Sequence, residues 1–286
     1  MTVKIIIVIH CGGGLNFEFK VQFHQPTISI NHELKAFMNF TVIRFDSLDS
    51  TNTEAIKHAK FGAAEGLCII AREQTSGRGR HGRTWISGKD SGLYFSVVLR
   101  PQLEMRFLPL ITLMTAVAVH DTLVELGIKT DIKWVNDIHV NGKKLCGILA
   151  ETVDTTRGLA VIVGIGINLD SSNFPPEIAD IATSFKAETG RFIKSEDISL
   201  VLTRFMVYFY DILSSETGPQ EILYEWQRRS SYAVGKSVRV MLESETIHGV
   251  TEGLEENGAL RLRTSKGDLK IIQAGDVEQL RQTRSE

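Results

Sequence analysis

Phe40-Thr41-Val42-Ile43-Arg44-Phe45 alternates apolar and polar side chains with the period of two that a strand requires. Thr51-Asn52-Thr53-Glu54 then forms a capping box. It opens a short helix with Ala55, Ile56 and Ala59 on one face, stopped at Gly62. Further strands are predicted over 66–72 and 92–100, the second alternating Leu93, Phe95, Val97 and Leu99 against Tyr94, Ser96 and Val98. From Phe107 to Leu126 the apolar spacing is helical and nearly continuous, as in a helix buried against a sheet, with Gly127 as its stop. Asp131–Val140 and Lys144–Glu151 flank Asn141-Gly142, a strong hairpin signal. Leu159–Asn168 reads as another strand, interrupted by Gly164 and Gly166, and helices follow over about 196–214 and 219–229. Hairpins mixed with long helices predict an α+β fold rather than a doubly wound sheet.

Past Ser230 the texture changes. Val238-Arg239-Val240, Ile247-His248-Gly249-Val250, Leu260-Arg261-Leu262 and Leu269-Lys270-Ile271-Ile272 are short apolar runs separated by glycine and polar turns. That spacing predicts a small β-barrel. Residues 1–37 carry Gly12-Gly13-Gly14 and no helical periodicity, whereas Met38 begins a segment that reads as a fresh start. The expected division is an extension outside the core fold over 1–37, a main domain over 38–229 and a barrel over 230–286. The apolar run Val3–Ile9 falls far short of the roughly twenty residues needed to span a bilayer.

Composition narrows the function classes. Of 286 residues, 43% are hydrophobic, and 32 Lys+Arg against 34 Asp+Glu leave a net charge of −2. The chain as a whole therefore has no basic field to draw nucleic acid. Cys11, Cys68 and Cys146 lie far apart without C-x-x-C spacing, which predicts a reducing, cytoplasmic setting and neither a disulfide framework nor a zinc site. His10, Cys11 and His24 likewise lack ligand spacing.

The chemistry gathers in Gly77-Arg78-Gly79-Arg80-His81-Gly82-Arg83-Thr84-Trp85, directly after the strand-like run Leu67–Ala71. Arginine offers planar, permanently charged forks for carboxylate and phosphate oxygens, and glycine lets the backbone approach a ligand. We read this stretch as an anion-closing lid, mobile when empty because its like charges repel. Gly77, Gly79 and Gly82 also satisfy G-x-G-x-x-G. The dinucleotide reading fails there, because arginines would lie where a helix must pack and the following residues are turn-rich. Walker A, serine-elbow and H-E-x-x-H patterns are absent from the sequence. Lys133, Asn136, Asp137, Lys143 and Lys144 share one predicted hairpin. Together with the lid they could hold a metal-bound nucleotide phosphate and an acid substrate, as carboxylate attack on the α-phosphate of ATP requires. Strand alternation groups Lys144 with Cys146 and Ile148, and Lys143 with Leu145, Gly147 and Leu149; parity alone does not choose between the lysines.

Five blocks in this order resemble the signatures of biotin–protein ligases: Asp49-Ser50-Thr51-Asn52; Gln74-Thr75-Ser76 leading into the lid; Lys133-Trp134-Val135-Asn136-Asp137; Lys143–Glu151; and Gly164-Ile165-Gly166-Ile167-Asn168-Leu169. The likeness covers about residues 40–170, and the tail resembles that family's SH3-like barrel. Val135 stands where the family usually has proline. The resemblance implies a mixed-sheet catalytic domain like that of class II aminoacyl-tRNA synthetases and lipoate ligases. It implies biotin contacts from Ser50, Thr51, Asn52, Gln74, Arg78, Gly79, Arg80 and Lys144, and nucleotide contacts from Arg83, Trp85, Asn136 and Asn168. Lys144, Arg80 and Asp137 would be catalytic, with Asp137 also meeting the magnesium of MgATP. The implied substrates are biotin and ATP, and the implied partner is a biotin carboxyl carrier domain. Nucleic acid and membrane partners are not expected, and a homodimer is left open. The nearest rival, a lipoate or octanoate ligase, calls for an Arg-Arg pair before a glycine-rich turn, which the sequence lacks. A DNA-binding regulator would need more than the 37-residue extension supplies.

Overall fold

The computed structural model describes residues 2–9, 15–22, 40–172, 174–242 and 244–279. In chain order the elements are β1 (Thr2–Ile9), β2 (Leu15–Gln22), β3 (Phe40–Leu48), α1 (Thr51–Lys60), β4 (Leu67–Gln74), β5 (Gly92–Leu99) and α2 (Leu110–Glu125). A run of strands follows, β6 (Asp131–Lys133), β7 (Asp137–Val140), β8 (Lys143–Thr155) and β9 (Gly158–Asn168). Then come α3 (Pro176–Ala179), α4 (Phe185–Thr189), α5 (Ser195–Leu213) and α6 (Gly218–Gln227). The chain closes with β10 (Val234–Met241), β11 (Thr246–Leu254), β12 (Leu260–Thr264), β13 (Leu269–Ile272) and β14 (Asp276–Gln279).

Nine strands form one sheet in the order β2-β1-β3-β4-β5-β9-β8-β7-β6. The β1/β3 and β3/β4 pairs are parallel and the rest antiparallel, so the sheet is mixed as expected. On one face α1 lays Ala55 and Ala59 against Ile69, Val98 and Ile162, their small side chains letting the helix come close. On the other face Phe95, Val97 and Val163 pack into the main core with α2, α5 and α6. Covered on both sides, β5 is buried at all eight positions, although its sequence alternates. The stretch Met105–Glu125 is apolar and long enough to cross a bilayer, yet 67% of its most apolar 18-residue window is buried inside this protein, where α2 serves as the core helix.

Three local departures from the sequence reading matter for the site. The single strand predicted over 131–140 is broken into β6 and β7, and Trp134 turns into the core while Asn136 turns toward β8. The Trp134–Val135 peptide is cis. The sequence set residues 1–37 outside the core fold, but their described part forms an antiparallel hairpin whose first strand pairs with Phe40–Arg44, so the sheet continues into them. Cys11, His10, His24 and Met38 lie outside the described residues.

The C-terminal strands form an antiparallel sheet ordered β13-β12-β11-β10-β14, consistent with a small barrel. Its interior is not separate. Val238, Val240, Leu260, Leu262 and Ile272 belong to the same apolar cluster as Leu110 and Leu113 of α2. Trp134 Nε1 donates to the Gly258 carbonyl at 3.0 Å across the same seam. Gly258 has φ +84°, and a Cβ there would lie 2.8 Å from Leu113 Cδ1. Gly258→Ala is therefore expected to cost about 1–3 kcal/mol through strained backbone and overpacking. Scanning calorimetry should show one lowered transition for the whole chain; a barrel that melts separately would contradict the shared core.

Candidate functional site

At the carboxyl ends of β3 and β4 the chain enters α1 through Ser50, Thr51 and Asn52, all buried. They form one wall of a cleft with about 750 Å³ of empty space. The polar atoms of Thr51 and Asn52 are ordered by a linked set of hydrogen bonds. Thr51 donates to Gln74 Oε1 from both its amide (2.8 Å) and its hydroxyl (3.1 Å), and Gln74 Nε2 donates to Ser87 Oγ at 2.8 Å. Ser96 Oγ lies 2.6 Å from Asn52 Oδ1 and 2.8 Å from Thr51 Oγ1. Asn52 Nδ2 donates to Glu151 Oε2 at 2.8 Å and to the Leu149 carbonyl at 3.2 Å. This packing depends on Gly164, where a Cβ would fall 2.2 Å from Asn52 Oδ1.

The arginine stretch folds over the cleft as a compact loop. Arg78 bridges Thr84, Gly79 N donates to the Arg83 carbonyl at 2.7 Å, and Trp85 N donates to the Gly77 carbonyl at 2.9 Å. The Trp85 ring lies on the bare backbone of the sheet. A Cβ at Gly166 would come within 2.5 Å of the ring, and one at Gly147 within 2.9 Å. Trp85 thus presents a flat face at the floor, with Lys144 Nζ 5.5 Å from its ring centroid. Each of the three arginines has a partner of its own, although Arg83 still repels Arg80. Arg78 pairs with Glu151, Arg80 Nη1 donates to Asn136 Oδ1 at 3.0 Å, and Arg83 pairs with Asp276 of β14. Burial pushes the Arg80 guanidinium pKa down against the pull of Asp276 and Asp137.

Lys144 reaches the cleft because β8 does not keep strict alternation. Ile138 pairs with Cys146 and His139 with Lys144, so Leu145 is an extra residue and the register shifts by one. Lys144 consequently shares a face with Gly147, whose Cβ position lies 3.1 Å from Lys144 Cε. The grouping of Lys144 with Cys146 and Ile148, expected from alternation, is corrected: those two side chains are buried in the core. Lys143 is exposed, with Nζ 3.4 Å from the Ala179 carbonyl. The Lys144 backbone is held from outside the sheet, its N donating to Ile181 O at 2.8 Å and its carbonyl accepting from Thr183 N at 2.9 Å.

Lys144 Nζ lies 2.7 Å from Asp137 Oδ1. Burial alone would raise the Asp137 pKa, but His139, Lys144 and Lys133 outweigh it and hold the carboxyl well below the usual carboxylate range. Asp137 is therefore an anion committed to a lysine. Among the described residues no group of three or more His, Cys, Asp or Glu side chains is arranged to hold a metal ion. This donor set suits a counter-ion to Lys144 better than a resident metal site.

Every predicted site residue lines the cleft except Asn168. Asn168 is buried behind it, its Nδ2 donating to the Thr183 carbonyl at 3.0 Å, and so it braces the segment that pairs with Lys144. The sequence reading assigned no role to Glu151, Tyr94 or Asp276. Tyr94 lines the cleft and donates through its hydroxyl to the Gly88 carbonyl at 2.9 Å. Asp276 comes from the C-terminal sheet, and nothing local in its sequence marks it.

Comparison with known proteins matches residues 44–168 to the Biotin/lipoate A/B protein ligase family and residues 233–279 to the Biotin protein ligase C terminal domain. The Bifunctional ligase/repressor BirA of Bacillus subtilis is 38% identical over 244 residues, covering 83% of this chain and 73% of that one. The biotin–[acetyl-CoA-carboxylase] ligase of Paracoccus denitrificans is 34% identical over 238 residues, covering 80% and 96%. A solved biotin protein ligase from Aquifex aeolicus, in complex with biotin and ATP, superposes with a TM-score of 0.73 at 29% identity, covering 84% of this chain and 98% of that one.

Because the folded-state pKa of Asp137 is depressed, its contribution to stability is present above the unfolded value of about 3.9 and lost as pH falls toward the folded one. Asp137→Asn should therefore lower stability at pH 7 and flatten the loss of stability below about pH 4. Urea midpoints measured across pH check this; parallel curves for the two proteins would contradict it.

Proposed function

The chain belongs to the biotin protein ligase family, and on that premise we propose that its cleft converts biotin and MgATP into biotinyl-5′-adenylate and passes the biotinyl group to a lysine of a biotin carboxyl carrier domain. The observation that carries this reading is the meeting of Lys144 with the arginine loop at one end of a cleft whose other wall is the polar set Ser50, Thr51, Asn52 and Gln74. A bicyclic urea needs donors and acceptors in fixed positions, which that wall supplies. A carboxylate and a triphosphate need a compact field of positive charge, which Lys144, Arg78, Arg80 and Arg83 supply. The flat Trp85 face suits an adenine.

In the first step a biotin carboxylate oxygen forms a bond to the α-phosphorus while the bond from that phosphorus to the bridging oxygen breaks, and pyrophosphate leaves with its electrons. Two anions must approach each other, and charge concentrates on the phosphoryl oxygens at the transition state. Lys144, fixed by Asp137 and by its backbone partners Ile181 and Thr183, supplies that charge without having to move. In the second step the carrier lysine, as the free amine, bonds to the acyl carbon; the carbon–oxygen bond breaks, AMP leaves, and the amine's proton passes to solvent. The relatives named as biotin–[acetyl-CoA-carboxylase] ligases support a carboxylase carrier as partner. Free, buried Cys68 and Cys146 agree with a reducing, cytoplasmic setting.

Loss of one preorganised contact of this kind typically costs on the order of 10²–10³ in rate. Lys144→Ala should show that loss in biotin-dependent pyrophosphate release with circular dichroism unchanged. Lys143→Ala, exposed on the other side, should stay near wild type. Equal losses in the two variants, or release that does not require biotin, would refute the assignment.

A further inference from the structure

Each cation of the cleft has its own acceptor: Glu151 for Arg78, Asn136 for Arg80, Asp276 for Arg83 and Asp137 for Lys144. Glu151 differs from the other three. Its Oε2 accepts from Arg78 in the loop and from Asn52 Nδ2 in the first turn of α1, the latter at 2.8 Å. One carboxylate oxygen therefore joins the arginine loop to the polar wall of α1. The joint is closely determined on the α1 side. Asn52 Oδ1 is held by Ser96 Oγ at 2.6 Å, the amide lies directly on the bare backbone of Gly164, and Nδ2 is also tied to the Leu149 carbonyl. Glu151 is also accessible from outside, lining a second cleft on the outer side of the loop together with Thr75, Ser76 and His81.

We propose that Glu151 is a positioning residue that couples occupation of the biotin-binding wall to closure of the arginine loop, by registering Arg78 on Asn52 through a single shared oxygen. The proposal rests on the functional reading above, which places the biotin head against Asn52. A ligand seated against the already oriented Asn52 shuts water away from Glu151 and so strengthens the ion pair that Arg78 makes with it. Without that acceptor, Arg78 has no anionic anchor on the sheet, and the loop closes no more tightly with biotin than without it. Arg80 and Arg83 are anchored elsewhere: Asn136 is tied to the Ile148 carbonyl and Asp276 belongs to β14, not to α1.

Trypsin reads this coupling directly, since it cuts after Arg78, Arg80 and Arg83 when the loop is open. In the full-length wild-type protein, biotin should slow nicking of the loop by about tenfold or more, the scale of one charge-assisted hydrogen bond. In Glu151→Ala that protection should fall to less than about twofold, while calorimetry still shows biotin bound more weakly by roughly tenfold. Glu151→Gln, which keeps an acceptor oxygen without the charge, should recover much of the protection. Arg78→Ala should reproduce the Glu151→Ala result, and the double variant should be no worse than either single one. Full biotin protection in Glu151→Ala, or additive effects in the double variant, would overturn the coupling while leaving the functional reading standing. A wild-type protein that binds no biotin by calorimetry would overturn the functional reading and the coupling with it.

Discussion

The site depends on keeping four cationic side chains, Lys144, Arg78, Arg80 and Arg83, around one cleft. Like charges in a partly dry cleft repel, and desolvation penalises each. The fold answers by giving every cation a separate acceptor on a different structural element: Glu151 and Asn136 beside the floor, Asp137 on β7 and Asp276 on β14. An incoming carboxylate and triphosphate then meet side chains that are already oriented, and the cost of gathering the charges was met when the chain folded. The barrel joins the catalytic domain in this arrangement, both through Asp276 and through the core it shares with α2.

Glycine is the second constraint. Gly147 and Gly166 leave bare backbone under Trp85, and Gly164 does the same under Asn52. Any side chain at these positions would meet those groups well inside contact distance. A strand broken by glycines reads as weak when taken alone. Here β8 and β9 are held at the centre of a nine-stranded sheet, where ladder partners on both sides supply the stability that the glycines forgo.

Much of this was legible in the sequence. Alternation and helical spacing located the strands from β3 to β5 and the helices α1, α2, α5 and α6 to within a few residues, because their apolar periodicity persists whether an element buries one face, as α5 does, or nearly all of itself, as β5 and α2 do. The arginine–glycine interleaving marked the loop, and the block order marked the family. Three features were not legible, each for a physical reason. Parity placed Lys144 with Cys146, because a bulge at Leu145 leaves no mark in local composition. Asn168, a nucleotide contact by the family resemblance, is not among the residues lining the cleft, and its amide braces Thr183 instead, a tertiary contact that its own block does not mark. Asp276 joins the cleft only through the packing of the barrel, a contact between residues far apart in the chain.

The central claim is that this chain makes a biotinyl adenylate and spends it on a carrier lysine. Intact-mass spectrometry of a biotin carboxyl carrier domain, incubated with the protein, biotin and MgATP, tests that claim most directly. The account predicts the mass increment of one biotinyl group, mapped to one lysine and absent when biotin, ATP or the protein is left out. An unmodified carrier, or one modified equally well with lipoate in place of biotin, would contradict it.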